Sequence, residues 1–532
     1  MRIPLGRLRR AGHPPWLRRA GHSPWWRGAA ALLAGGLPMF AFPAPSLWWF
    51  AYVALVPWML LVRAAPTGRR AALDGWLGGT GFMIAVHHWL IPSLNVFIVV
   101  LAALLGLLWA PWGWLVRWML GGAASAARVA AALVVLPSGW LMAELVRSWQ
   151  GLGGPWGLLG SSQWQVAPAL RLASVGGVWL VSLLVVAVNT GVVALLVVES
   201  ARTTAVAGVL ACAVLTGAVW MWAPRPETSG GTRIAVVQPG VVPGINARFA
   251  RSEALTRQLA GRHVDLVVWG ESSVGQDLAA RPDLTARIAR LSRETGADIL
   301  VNVDARRSDA PGIYKSSVLV GPAGLTGDRY DKMRLVPFGE YIPARSLLGW
   351  ATSVGRAAGE DRRHGTHQVV MKLPHGLLVG PLICFETAFP DMSRQLTRDG
   401  SQLLVAQSST SSFQHSWAPE QHASLAALRA AETGRPMVHA TLTGVSAVYG
   451  PGGDRVGPLL GTGRSTAQVY DIPLAHGTTL YVRFGDWPVH GALAVLAVLC
   501  AVEGLRSVRR PAPEPAGPHA RRVHGSAGRP WR

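Results

Sequence analysis

At 532 residues the chain is long enough for two or three ordinary domains, yet half of its residues are hydrophobic, only 15% are charged and 24 are Trp. That apolar share exceeds what one core can hide, which excludes an ordinary soluble protein and directs attention to bilayer segments. A formal charge of +22 would suggest a nucleic-acid partner, but the basic residues gather at the chain ends without a nucleic-acid motif, so no such partner is expected.

The chain opens on a basic arm, with Arg2, Arg7, Arg9, Arg10, Arg18, Arg19 and Arg27 inside residues 1–27. Such an arm fits the cytoplasmic face of an anionic membrane. Seven apolar stretches follow, at 28–42, 45–63, 75–95, 96–117, 127–147, 173–198 and 204–223. A straight crossing takes about 20 residues, so the first is short. Its alternative reading is a signal-peptide core followed by Ala41-Phe42-Pro43-Ala44. The long arm and the second apolar run directly behind it favour a membrane helix. Several stretches hold Pro or Gly, which membrane helices tolerate better than soluble ones.

Arginine placement predicts the topology. Arg63, Arg69 and Arg70 follow the second stretch, Arg128 the fourth, and Arg202 separates the sixth from the seventh. The loops after the first and third carry no Arg or Lys. Arg-rich short loops stay inside, so the N-terminus is expected in the cytoplasm. Seven crossings would put the next part of the chain outside. A weaker eighth segment at 489–502 would return the chain to the inside, where seven more Arg lie between 506 and 532. The expected division is a basic arm 1–27, seven transmembrane helices 28–224, a catalytic domain 225–485, an eighth helix 486–506 and a basic tail 507–532. The density of Arg, Ala and Gly suits a high-GC bacterial source, hence a multi-pass protein of a bacterial cell membrane.

Between the seventh and eighth segments the composition turns soluble. Buried strands are predicted at 233–238 (RIAVVQ), 265–269 (DLVVW), 298–303 (DILVNV), 377–385 (LLVGPLICF) and 402–407 (QLLVAQ). Helices are predicted at 251–261, 284–295 and 418–433. Alternation of this kind predicts a layered α/β domain with its strands in the centre.

Of three cysteines, Cys212 and Cys500 sit in apolar runs as packing residues, and no spacing resembles a metal cluster or a disulfide framework. Cys384, in PLICFE (381–386), stands alone in the polar part. Glu271 closes VVWGES (267–272), and Lys332 lies in YDKMRLVPFGE (330–340). All three fall at strand ends, where α/β folds place their sites. A Cys nucleophile needs a base for its proton and a positive group for the thiolate and oxyanion. Glu271 as base, Lys332 as oxyanion partner and Cys384 as nucleophile would fit acyl transfer through a thioester. One donor aimed at a developing oxyanion is worth about 3 kcal/mol. Taken singly, each residue fits a blander place equally well: a core Cys, a strand-ending Glu, a solvated Lys.

The runs WGESS (269–273), YDKMRLVPFGEYIP (330–343) and LICFE (382–386) resemble the three catalytic segments of the nitrilase superfamily. The LVPFGEY after Lys332, together with eight apolar stretches, resembles the apolipoprotein N-acyltransferase family. Ala41-Phe42-Pro43, Pro155-Trp156-Gly157 and Gly160-Ser161-Ser162-Gln163 sit where that family carries similar turns, so the resemblance spans roughly 28–506. It implies a polytopic α-helical membrane bundle of about eight spans plus an extracytoplasmic, nitrilase-like αββα sandwich. Glu271, Lys332 and Cys384 match the family's catalytic triad. Glu340 matches a supporting glutamate, and Glu386 an acidic residue just after the nucleophile. The implied reaction moves an acyl chain from a membrane phospholipid to Cys384, then to the α-amine of a diacylglyceryl-Cys at a lipoprotein N-terminus, with no metal or other cofactor.

The same triad with water as acceptor would make a membrane-tethered amidase or nitrilase-type hydrolase. A small soluble amide has no need of eight spans, which favours the acyltransferase. A transporter would carry polar groups in its spans, and only His87, His88 and Glu144 are candidates. One departure is present. Where the family often has an Asn-Asp-x-Trp-Phe run, this chain has Ser409-Thr410-Ser411-Ser412-Phe413, which puts substrate preference in doubt. Glu420, Gln421 and His422 open a helix whose dipole favours an anion at Glu420, and His422 reads as structural. The segment 346–354 (SLLGWATSV) has the character of an interfacial guard or a packed surface loop.

Overall fold

The computed structural model describes residues 24–349 and 359–509. The readings placed on the basic ends and on much of 346–354 therefore lie outside the described residues. Among the described residues, five helices are long and apolar enough to cross a bilayer: Phe97–Leu120, Ala126–Arg147, Ala167–Val197, Glu199–Trp222 and Trp487–Val508. The last of these is longer than its apolar stretch suggested. The other three expected spans are helical but shorter or more polar. The first is Pro24–Gly36 with a 3-10 turn Leu37–Ala41, the second Trp48–Arg63 is short, and the third ends at Val86. Arg27, grouped above with the basic arm, belongs to the first helix, and with Arg70 it pairs with the buried Asp74 at 2.7 and 2.8 Å.

Small residues let these helices meet backbone to backbone. A Cβ on Gly35 would lie 2.0 Å from the Gly78 carbonyl oxygen, so the first helix packs closely on Gly68–Val86. Trp58, Trp109, Trp112 and Trp140 fill the middle with mutual ring contacts of 5.0–5.9 Å. The His87 ring nitrogens lie 3.0 and 3.3 Å from the Met83 and Trp156 carbonyl oxygens, and Glu144 accepts from the Leu159 amide at 2.7 Å. These polar groups hold loops in place, which is the bland reading of candidates for a transport path.

Outside the bundle lie two six-stranded sheets. The first runs in the order β12-β1-β2-β3-β4-β5 and is built from β1 (Glu227–Gln238), β2 (Leu266–Trp269), β3 (Asp298–Arg306), β4 (Ile313–Gly321), β5 (Gly324–Asp331) and β12 (Thr466–His476). The second runs β11-β10-β9-β8-β7-β6, from β6 (Met371–Lys372), β7 (Leu378–Ile383), β8 (Leu403–Ser408), β9 (Met437–Thr441), β10 (Ser446–Tyr449) and β11 (Arg455–Leu460). Their inner faces share one core, in which Val236, Val268 and Leu300 meet Val379, Val405 and Val438. Helices Ile245–Arg257 and Pro282–Thr295 cover the outer face of the first sheet, and Pro390–Arg398 and Ala418–Thr433 that of the second. The layers are α-β-β-α, as the resemblance implied. The helix expected at 251–261 begins six residues earlier, at Ile245.

The second helix layer is also the joint to the bundle. Gln421 Oε1 accepts from Trp89 Nε1 at 3.1 Å and Trp156 Nε1 at 2.9 Å, and its amide donates to the Pro43 carbonyl. Helix Ala167–Val197 breaks at Gly176-Gly177, and Glu432 accepts from the freed Val178 amide at 2.8 Å. Gly177 has φ +67 and faces the Tyr481 ring, where a Cβ would come to 2.6 Å.

Close approach also fixes Glu271. A Cβ on Gly270 would sit 2.0 Å from the Leu442 amide nitrogen, so only Gly lets the end of β2 lie against the neighbouring sheet. Gly270→Ala is expected to destabilise the domain by about 2–3 kcal/mol and to displace Glu271. Thermal unfolding of the detergent-solubilised variant checks this, and a wild-type midpoint would refute it.

Candidate active site

The site is assembled from four strand ends. Glu271 follows β2, Lys332 follows β5, Cys384 follows β7, and β4 contributes Lys315. Antiparallel pairing of β4 and β5 sets the two lysines side by side, the Lys332 amide donating to the Lys315 carbonyl at 2.8 Å. Glu340 comes from the turn after Lys332 and accepts from the Val336 amide at 2.8 Å, which closes the LVPFGEY segment on itself.

Four charges then meet in a ring. Glu271 Oε1 lies 2.7 Å from Lys315 Nζ and 3.4 Å from Lys332 Nζ, and Glu340 Oε1 lies 2.9 and 2.8 Å from the same two nitrogens. The Lys332 side chain is fully buried and Glu271 nearly so. Buried charges persist only when paired, and two carboxylates with two ammoniums sum to zero. Glu271 Oε2 accepts no hydrogen bond among the described residues.

The electrostatics follow from burial and this ring. Burial opposes the Glu271 carboxylate, but Lys315 and Lys332 outweigh it and hold the group below the usual range. Glu340 is depressed to about 2, its burial overcome by Lys332 and then Lys315. Burial alone would weaken Lys332, yet Glu340 and Glu271 hold it charged above its ordinary value. Cys384 is pushed up to about 12, first by burial and then by the Glu271 charge. The resting sulfur is therefore a thiol beside an ionised carboxylate.

Cys384 has φ +52, a left-handed conformation that costs a non-Gly residue about 1–3 kcal/mol and marks a turn held by its surroundings. Glu386 supplies much of that hold. It accepts from the Ile383 amide at 2.8 Å, the Met333 amide at 2.7 Å, the Arg334 amide at 3.1 Å and the Tyr330 hydroxyl at 2.7 Å. One carboxylate thus fastens the Cys384 turn to the segment carrying Lys332. From the other side His422 Nε2 donates to the Cys384 carbonyl at 3.0 Å, and burial lowers that imidazole to about 4, so it serves as a neutral brace. Glu420 lies in the first turn of helix Ala418–Thr433, and Thr410 bonds the 440s loop through Thr443. A Cβ on Gly154, from the bundle, would come to 2.7 Å from both Phe385 and Phe389. The thiol-bearing turn therefore packs directly on the membrane helices' loops, alongside Trp156 and Trp89.

All five residues singled out in the sequence, Glu271, Lys332, Cys384, Glu340 and Glu386, converge here. Lys315 did not emerge from the sequence reading, because β4 and β5 were not recognised as strands and a Lys in IYKSSVLV reads as surface. A signal was nevertheless present. The chain has 50 Lys plus Arg, and only three are Lys: Lys315, Lys332 and Lys372. Two of the three meet at this site.

Comparison with known proteins places the chain. Residues 233–480 match the carbon-nitrogen hydrolase family, and residues 34–191 match the apolipoprotein N-acyltransferase N-terminal domain. The chain is similar to the apolipoprotein N-acyltransferase of Methylococcus capsulatus, at 31% identity over 88% of this chain and 95% of that one. The Azotobacter vinelandii enzyme of that name is 30% identical, covering 91% and 96%, and that of Geobacter metallireducens 29%, covering 88% and 94%. A sandwich and a bundle that each match, joined at a buried Glu-Lys-Cys site in one chain, make this protein a member of the apolipoprotein N-acyltransferase family.

Proposed function

We propose that the protein transfers an acyl chain from a membrane phospholipid to the N-terminal amine of diacylglyceryl-Cys in apolipoproteins, through a thioester on Cys384. The observation that carries this reading is a charge-balanced carboxylate–ammonium ring beside a thiol whose turn packs on the membrane bundle. In the first half-reaction the Cys384 S–H proton passes to Glu271 Oε2 as sulfur attacks the donor ester carbonyl. Lys332 faces the oxyanion that forms. The carbonyl–oxygen bond then breaks, the glycerol oxygen takes the proton from Glu271, and a lysophospholipid leaves. In the second, the free α-amine attacks the thioester carbonyl, the carbon–sulfur bond breaks, and the amine's proton returns to sulfur by way of Glu271. Glu271 is ionised again at the end of each half, and Cys384 regains its S–H only at the end of the second.

Glu340 keeps Lys332 charged and in place, and Glu386 holds the turn on which Cys384 sits. A hydrolase of small amides is not favoured, since the N-terminal half is itself of the acyltransferase type and packs on the Cys384 turn. The arginine pattern supports a cytoplasmic N-terminus with the sandwich outside the cytoplasm, where lipidated substrates reach the site from the bilayer.

Intact-mass analysis after incubation with phospholipid tests the reading. A hydroxylamine-labile acyl adduct is expected on the native chain, and it should discharge onto an added diacylglyceryl peptide. No adduct and no lysophospholipid with any phospholipid would sink it.

A further inference from the structure

The ring holds one more ammonium than a nucleophile, a base and an oxyanion donor require. Lys315 is closer to Glu271 than Lys332 is, at 2.7 against 3.4 Å, and Lys332 lies closest to Glu340, at 2.8 Å. Both lysines bind the same oxygen of Glu271, Oε1, so Oε2 is the atom left for a proton. Lys315 is also one of only three lysines in a chain that otherwise uses Arg. An Arg here would present a planar fork of five donors to two carboxylates, whereas the compact ammonium of Lys bridges two single oxygens.

We propose that Lys315 is a positioning residue with a separate task from Lys332: it pins Glu271 by Oε1 and keeps it ionised, so that Oε2 is the proton acceptor for Cys384 and Lys332 is left for the developing oxyanion. This rests on the thioester reading above. The groups facing Glu271 are Lys315 from β4, Lys332 after β5, Glu340 from the following turn, Cys384 after β7 and His422 from helix Ala418–Thr433. Asp304 on β3 faces Lys315 at 3.9 Å and is itself met by Arg362 at 3.4 Å. Without the Lys315 charge, two carboxylates would share the single ammonium of Lys332. Glu340 keeps the 2.8 Å contact to Lys332 and the Val336 amide, while Glu271 keeps only the 3.4 Å contact. Glu271 is therefore the carboxylate that would take up a proton, and a protonated Glu271 cannot accept the thiol's.

The test is the pH profile of single-turnover acyl-enzyme formation in full-length protein, using Lys315→Gln and Lys315→Arg. Gln keeps a donor but no charge, and Arg keeps the charge but not the fit. For Lys315→Gln the ascending limb should move up by about one pH unit or more, a loss of about tenfold below the limb that recovers in alkali. For Lys315→Arg the limb should stay where the wild type has it, with a lower plateau. A loss equal at every pH in Lys315→Gln would make Lys315 merely structural and overturn the proposal. If Lys315→Gln cannot be recovered folded, a displaced limb in Lys315→Arg overturns it and an unmoved one supports it. A wild-type control that forms no acyl-enzyme would refute the thioester reading instead, so the two failures are distinct.

Discussion

Cys384→Ala is expected to lower lysophospholipid release by about 10^4-fold or more while leaving the folded protein in the membrane. The size follows from the nucleophile having no substitute: loss of a triad nucleophile removes nearly all of the covalent route's advantage. Cys212 lies within a membrane helix and Cys500 within the C-terminal one, so neither can stand in. Stability should change little. The side chain is small and half-buried, and Ala suffers about the same left-handed strain at φ +52 as Cys does. Rates of lysophospholipid release and the thermal midpoint, measured on the same preparation, check both halves. Turnover within tenfold of wild type would remove the thioester from the mechanism.

A second large effect is expected at a residue that touches no reacting atom. Glu386→Ala would leave the Ile383, Met333 and Arg334 amides and the Tyr330 hydroxyl without their shared acceptor. Each stranded buried donor costs about 1–3 kcal/mol, and with local relaxation the sum should be about 3–5 kcal/mol. For a domain of this size that corresponds to about 10 °C in the unfolding midpoint. Acyl-enzyme formation should fall by about 100-fold or more, because the Cys384 turn and the Lys332 segment lose the group that joins them. Tyr330→Phe, which removes one of the four donors and leaves no new orphan amide, should cost only about 1 kcal/mol. Midpoints for both variants, beside acylation rates, separate this account from a general intolerance of the core. Equal effects of the two substitutions would contradict it.

Legibility in the sequence differed between elements for physical reasons. Strands β2, β3, β7 and β8 are buried on both faces and read as continuous apolar runs. β4 and β5 carry polar residues on both faces (Lys315, Ser316 and Ser317 in one, Asp328, Arg329 and Asp331 in the other) and lack that signature. They are also the strands that bring the two lysines together. The long membrane helices were visible from apolarity alone, whereas Gly68–Val86, with Arg69, Arg70 and Asp74, is less apolar and finds its place by glycine packing and by the Asp74 ion pairs. The helix at Ala418–Thr433 was recognisable in its full extent, yet nothing local in it announces that Gln421 ties three bundle segments together or that His422 braces Cys384.

By itself the sequence indicated the membrane character and the layered α/β domain, because apolar period is a local property of a chain, and it singled out Glu271, Lys332, Cys384, Glu340 and Glu386 as candidates through short motifs that resemble a known family. Only the tertiary structure decided that Lys315 completes a neutral ring, that one carboxylate fastens the Cys384 turn to Lys332, and that the turn rests against the membrane helices. Those facts depend on contacts between distant parts of the chain, such as Glu271 with Lys315, Tyr330 with Glu386 and Gly154 with Phe385. Such contacts leave no local pattern, since they are set by strand pairing and by the close approach that glycine permits.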